Sequence, residues 1–324
     1  IESFAREFPG RADQLTPIDL VQYTDTIQHW CKLFAHYDII QGYSTDPILP
    51  MLVGVPYIAM EHGTLRELPF QDSFTARLTA LAYRKASHVF VTNSDCMDNA
   101  RLLAGANATL VNHPYDDRHA DGINGATVLR DELLRRADAD FLMFYPTRHD
   151  WVPGTGYADK ANDVFIRAFG RLYRDGHRLG VVCCNWGRNV AESKALFAEY
   201  DCADRVIWVE PMGVIRLERT MLATDIVVDQ FKLGAFGGVT AKALAAGVPV
   251  LTHLDPALFN DRMPIPPVVN CQSEDDVYRA MSDLLLNRGS LRQLAVASKD
   301  WVNRYHNVED LLCLQLRTYA AALQ

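Results

Sequence analysis

The sequence predicts an α/β chain of two doubly wound domains, each a parallel sheet covered by helices on both faces. Three observations predict it. Short apolar runs alternate with longer amphipathic stretches, the pattern of strand–helix–strand units. Several of those runs are apolar almost throughout, which suits strands buried on both faces. One polar stretch, 115–140, has no strand-like run and separates four candidate strands from six.

The first four runs are 37–42, 55–60, 88–92 and 109–112, and the remaining six are 141–146, 179–184, 205–209, 225–228, 248–252 and 267–270. Helical periodicity fills 70–86, 158–174, 191–200, 213–223 and 237–246. Parallel strands joined by right-handed crossovers follow from this alternation. The domains are expected at 1–130 and 138–305, with 306–324 a helix crossing back to the first domain. A complete domain of this kind opens on a strand and a Gly-rich turn. Nothing before Tyr37 reads that way, so the first strand or strands are expected to be missing from this chain or replaced by irregular structure.

A chain of 324 residues is long for one core and comfortable for two. Its composition, 49% apolar and 22% charged, is that of a globular protein. A net charge of −8 argues against nucleic acid as the main partner, because phosphate backbones select basic surfaces. No apolar run reaches the length of a membrane span. The opening IESFAREFPGR has no signal-peptide pattern and no initiator Met, so the chain is expected to be processed or part of a longer one. Seven scattered cysteines include no CxxC pair, which speaks against zinc. Cys183 and Cys184 sit in the apolar run LGVVCC and read as buried thiols of a cytoplasmic protein. Arg77, Arg84, Lys85 and His88 form a modest basic face. It reads as a solvated helix surface, with at most peripheral contact at the inner face of a membrane.

Three stretches carry candidate chemistry. In ATDIVVDQFKLGAFGGVTAKALAAGVPVLTHLD (223–255), a strand ends at Asp229 and a turn runs from Gly234 through Phe236 to Gly238. A helix then starts near Val239 and stops at Gly247. Gly237 and Gly238 allow close backbone approach, and the free N–H groups of a helix start hold an anion such as a diphosphate. The same glycines also serve an ordinary α/β turn. In FLMFYPTRHDWVPGTGYADKANDVFIRAF (141–169), Arg148 follows a strand and Lys160 begins a helix, both at the same sheet edge. A bidentate guanidinium and a point-charge ammonium suit a diphosphate. In VPYIAMEHGTLRELPF (55–70), His62 and Gly63 follow a strand, and Asn93 and Ser94 occupy the edge one strand over. Asn93 and Ser94 either hydrogen-bond a sugar or cap the helix starting at Asp95.

Together these stretches resemble the retaining nucleotide-sugar glycosyltransferases of family 4, which have the GT-B fold, over nearly the whole chain from Tyr37. His62 matches the family's cleft-edge His. Arg148 and Lys160 match its Arg and Lys. Lys242-Ala243-Leu244-Ala245-Ala246-Gly247-Val248-Pro249-Val250 matches its Glu-Ala-Met-Ala-x-Gly-x-Pro-Val helix except at the first residue, and the run from Asp229 to Gly237 resembles a bacterial subgroup. The resemblance implies two Rossmann-like domains facing across a cleft. It implies transfer of a sugar from a nucleotide diphosphate donor to a carbohydrate, lipid-linked or small-molecule acceptor, with retention of configuration and no metal or other cofactor. His62, Arg148 and Lys160 take the catalytic roles. Gly63, Asn93, Glu210, Asp229, Gly234, Phe236, Gly237, Gly238, Val239 and Lys242 take the donor, with the base near Val209 and Glu210. The chain departs from the family where Gly234 and Lys242 replace two Glu residues. A Lys cannot accept the ribose hydrogen bonds of the second. The alternative reading is therefore a catalytically silent GT-B subunit or binding module.

Overall fold

A computed structural model describes residues 1–115, 122–152, 159–260 and 263–324. The chain forms two compact units, Ile1–His113 with Val308–Gln324, and Pro114–Asn307. The sequence boundary was set at 130. Residues 114–115 and 122–137 instead group with the second unit, because the helix Ala126–Arg136 buries Leu133 in that unit's core. Arg130 of the same helix pairs with Asp225 at 2.8 Å.

The first unit holds a parallel sheet in the order β1 (Ile40–Tyr43), β2 (Tyr57–Glu61), β3 (His88–Val91) and β4 (Ala108–Leu110). Every residue of β2 is buried, as its unbroken apolar run requires. No strand precedes Ile40. Residues 2–34 instead form short helices, Glu2–Glu7, Pro17–Leu20 and Ile27–Phe34. Phe4 of the first is buried in the core with Tyr83 and Val89. The helix Phe74–Lys85 starts four residues later than its periodicity predicts. Pro69 closes a separate 3₁₀ turn, and the Ser73 hydroxyl caps the helix by accepting the Ala76 N–H at 3.2 Å.

The basic face of that helix is partly covered, with Lys85 still exposed. Arg77 pairs with Asp19 and with Asp72, each at 2.8 Å, and Lys85 approaches Glu7 at 3.5 Å. Arg84 lies over the Phe8 ring at 5.1 Å. Acids and aromatics of the N-terminal segment thus neutralise it, which periodicity within the helix cannot reveal. The helix Val308–Ala322 packs Leu311, Leu314 and Tyr319 against Ile58, Met60 and Phe90 of the first unit. Among the described residues, no helix is long and apolar enough to cross a membrane.

The second unit holds a six-stranded parallel sheet. Its strands are β5 (Phe141–Tyr145), β6 (Leu179–Cys184), β7 (Val206–Val209), β8 (Ile226–Val228), β9 (Val250–Thr252) and β10 (Val269–Asn270). The order is β10-β9-β8-β5-β6-β7. Residues of β5 alternate between two apolar layers. Met143 and Tyr145 join Phe165, Phe169 and Phe197, while Leu142 and Phe144 join Leu244 and Trp301. The order decides where a ligand can bind. From β5 the chain builds outward through β6 and β7, then returns to the other side of β5 with β8. Loops leaving β5 and β8 at their carboxyl ends therefore diverge, and that switch point is where open α/β sheets bind ligands. The described strands of the first unit run in sequence order and have no such point.

Candidate functional site

Both loops at the switch point are those singled out by sequence. After β8, the Asp229 carboxylate is buried and faces the helix Gly238–Ala245. It accepts the Thr240 N–H at 3.3 Å and the Thr240 hydroxyl at 2.7 Å. Its other oxygen accepts the Thr147 hydroxyl at 2.7 Å, from the loop after β5. Asp229 therefore caps the helix and ties the two loops, so its carboxylate is engaged by the protein rather than presented to a donor. With the Thr240 N–H satisfied, those of Gly238 and Val239 have no partner within the helix. Gly238 is exposed, and no atom stands within 4 Å of where its Cβ would be. The helix start is open at the point that the anion reading requires.

Lys160 joins this helix start through Gln230. Its ammonium donates to Gln230 Oε1 at 2.8 Å, and Gln230 Nε2 donates to the Ala235 carbonyl at 2.9 Å within the glycine turn. The Lys160 carbonyl accepts the Phe231 N–H at 3.0 Å, so the backbones are joined as well. Arg148 follows Thr147 directly and is 38% exposed. Its Nε lies 3.1 Å from Asp150, a carboxylate only 6% exposed. The contact runs through Nε, which leaves the terminal N–H groups of the fork for other partners. Arg188, 60% exposed, shares the same carboxylate at 3.4 Å. Residues 153–158, quoted above between Arg148 and Lys160, lie outside the described residues.

A third loop, Asn185–Asn189 after β6, holds the Arg148 loop in place. Trp186 Nε1 donates to the Pro146 carbonyl at 2.8 Å, and the Trp186 carbonyl accepts the His149 N–H at 2.9 Å. Asn189 returns its N–H to the His149 carbonyl at 2.8 Å and accepts the Trp151 N–H on its side chain at 3.0 Å. Gly187 sits at φ +111° with the His149 backbone against the position a Cβ would take. No other residue type fits that turn. The His149 ring is fully buried, with Nδ1 2.9 Å from the Ser193 hydroxyl. Burial holds its pKa down at about 4.

The remaining second-unit candidates stand elsewhere or act through backbone. Glu210 is exposed and accepts the Asn185 amide at 2.9 Å, with no link to the Lys160 cluster among the described residues. The Phe236 ring packs on Trp301 and His306, and Val239 packs against the core. Lys242 places its ammonium 5.5 Å from the Tyr115 ring centroid. Gly234 is buried at φ +72°, and a Cβ there would lie 3.1 Å from the Asp255 nitrogen and 2.9 Å from its Cβ. This turn excludes the side chain that the family carries.

In the first unit, β2 ends at Glu61, whose buried carboxylate accepts the Gly63 N–H and, at 3.1 Å, the Asn93 amide. Asn93 does not cap the following turn by its side chain. Gly63 has φ +92°, and the Arg66 guanidinium, held by Asp95 at 2.5 Å, fills the space a side chain would need. Both residues serve the turn that presents His62, which is exposed. Sequence reasoning missed Thr147, Asp150, Gly187, Asn189 and Thr240. Their signal is the position beside the carboxyl edge itself; Thr147 and Asn189 find partners 82 and 38 residues away.

By sequence, no family model and no curated protein matches the chain. Solved structures do. HepE of Anabaena, in complex with UDP and glucose, aligns with a TM-score of 0.73 at 14% identity over 95% of this chain and 84% of its own. The fold is GT-B. A glycosyltransferase of Rickettsia africae shares GT-B architecture at a TM-score of 0.69 and 13% identity, over 97% of this chain and 84% of its own. Sucrose-phosphate synthase of Thermosynechococcus elongatus aligns at 0.68 and 17% identity, over 95% of this chain and 80% of its own. In this GT-B chain, the switch-point loops of the second unit bring Lys160, Asp229, Gln230 and the turn before Gly238 together, and Arg148 is the residue after Thr147, which bonds Asp229.

Proposed function

We propose that the chain is a glycosyltransferase that moves a sugar from a nucleoside diphosphate donor to an acceptor hydroxyl. One observation carries the reading. Lys160 is joined through Gln230 to the glycine turn leading into an open helix start, at the topological switch point of a doubly wound sheet. The diphosphate rests on the N–H groups of Gly238 and Val239, and Arg148 and Lys160 neutralise the charge that grows on it. HepE, a structure of the same fold, holds UDP and glucose, which supports a nucleotide-sugar donor.

The resemblance to family 4 supplies the finer expectations: a hexosyl or related group, retention of configuration, and no metal or other cofactor. The bond from sugar C1 to the diphosphate oxygen breaks with its electron pair on the leaving group. The acceptor oxygen bonds to C1 on the same face, and its proton passes to the departing phosphate. Two fixed cations and two backbone N–H groups stabilise that charge without reorganising. The same resemblance gives His62 the role of orienting a sugar hydroxyl. All seven cysteines are unpaired, which suits the reducing cytoplasm. The acceptor is a carbohydrate, lipid-linked or small-molecule hydroxyl, and any membrane contact is peripheral.

A second reading, a catalytically silent binding module, rests on Gly234 and Lys242, which remove two carboxylates of the family. Donor hydrolysis and transfer, measured with a panel of nucleotide sugars, decide between them. Turnover that falls in Arg148→Ala and Lys160→Ala supports the enzyme. Nucleotide binding without turnover in the wild type supports the module, and no binding of any nucleoside diphosphate removes both.

A further inference from the structure

His62 stands in the middle of a column of three rings. Its imidazole stacks on the Tyr43 ring with centroids 5.3 Å apart and planes 18° from parallel. It stacks as well on the His113 ring, at 5.1 Å and 14°. Tyr43 ends β1, His62 follows β2 and His113 follows β4, so three strand ends of one sheet build the column. Among the described residues no hydrogen bond reaches the His62 nitrogens. Faces covered and edges open is the arrangement that offers ring nitrogens to a ligand while denying the ring its freedom to turn.

The column is anchored on the Tyr43 side. The Tyr43 hydroxyl accepts the Gln41 amide at 2.7 Å, and Gln41 Oε1 in turn accepts the Tyr319 hydroxyl from the helix Val308–Ala322. Ser44, next to Tyr43, shares a hydroxyl hydrogen bond of 2.7 Å with Thr64, two residues past His62. Tyr83 holds the Ser44 carbonyl at 2.9 Å. A histidine on an exposed turn ordinarily samples several rotamers, and ordering it costs conformational entropy. Here neighbouring rings supply the order before any ligand arrives.

We propose that Tyr43 and His113 are positioning residues that hold the His62 ring plane, so that its nitrogen edge is offered to a sugar hydroxyl in one preset orientation. This rests on the sugar-transfer reading for the role of His62, but the clamp itself is a property of the first unit. A ring held at the wrong angle loses the near-attack geometry, which costs on the order of 10²-fold for a misplacement of about 1 Å. The loss falls on kcat more than on KM, because the ring's angle governs the reacting geometry rather than the affinity.

The test uses the full chain in two arms. In the first, the His62 ring protons are followed by NMR with labelled histidine. Between two ring faces they resonate upfield. His113→Ala and Tyr43→Ala are expected to move them downfield, whereas His113→Phe and Tyr43→Phe keep them upfield. In the second, donor turnover is measured on the same variants. The Ala variants are expected to lose about tenfold to a hundredfold in kcat with KM little changed, and the Phe variants to recover most of it. Unshifted His62 protons in both Ala variants overturn the clamp, as does a kcat in His113→Ala equal to that of the active wild type. A wild type without turnover whose ring protons respond as stated leaves the clamp standing and removes the sugar-transfer reading instead.

Discussion

Asp229 and Thr240 form the joint on which the second unit's site turns: the carboxylate at the end of one strand accepts both the N–H and the hydroxyl of the third residue in the following helix. The cap comes from eleven residues away rather than from the adjacent position, where Gly237 offers no side chain. It fixes the helix start and leaves the outer N–H groups free for an anion.

Asp229→Ala is expected to destabilise the fold by about 1–3 kcal/mol, since it removes a cap and leaves the buried Thr147 and Thr240 hydroxyls without their acceptor. Urea unfolding measures this. Nucleoside diphosphate affinity falls in the same variant while the protein is still folded at low urea. Unchanged affinity would detach the cap from the site.

Gly187→Ala places a methyl group on the His149 backbone at a φ that disfavours any side chain. A loss of about 1–3 kcal/mol is expected from the strain. The Arg148 loop shifts with it, so donor hydrolysis drops further than in a stability-matched control mutated outside the sheet edge. Thermal unfolding and single-turnover hydrolysis, taken together, separate the two effects.

The two departures from the family behave differently when reversed. Gly234→Glu is destabilising, because φ is +72° and Asp255 occupies the space. Lys242 is half-buried on a helix surface, and Lys242→Glu folds normally. Under the sugar-transfer reading it supplies a ribose acceptor and tightens nucleotide binding about tenfold, in line with a charged hydrogen bond of about 1.5 kcal/mol. Calorimetric titration with UDP shows whether that contact exists.

His149 gives the fold a defined acid sensitivity. Its pKa is lowered by burial to about 4 from the 6.5 of an exposed ring, so the unfolded chain binds the proton more tightly than the native one. The associated stability is intact above pH 6.5 and is lost as pH falls toward 4, at about 1.4 kcal/mol per pH unit. Over that window the wild type should lose about 2–3 kcal/mol more than His149→Gln, whose side chain does not titrate. Parallel slopes for the two proteins would remove His149 as the cause.

Arg148→Ala and Lys160→Ala should each lower donor turnover by about 10²–10³-fold if each loses one preorganised donor. Lys160→Ala also removes the donor to Gln230 Oε1, the residue that holds the glycine turn, so its effect on nucleotide affinity should be the larger. Pre-steady-state measurement with each variant checks both orders.

Strand–helix alternation, the unbroken apolar runs of β2, β5 and β6, and the glycines at 237 and 238 were legible in the residues, because hydrophobic period and backbone permissiveness are local properties. His62 and Arg148 could be placed after strand ends, and Lys160 at a helix start, for the same reason. What residue order could not supply is which loops meet. The pairing of β8 with β5 rather than with β7 creates the switch point, and only that return brings Thr147 to Asp229 and Lys160 to Gln230. Asp229 serves as a helix cap and Asn93 as a partner of Glu61, contacts that residue order does not supply. Glu61, Arg77 and Lys85 likewise found their partners 32, 58 and 78 residues away. Local pattern determines the elements and the chemistry each loop carries; strand order and packing decide which charges neutralise one another and which remain for a ligand, since those contacts form only when distant segments are brought together.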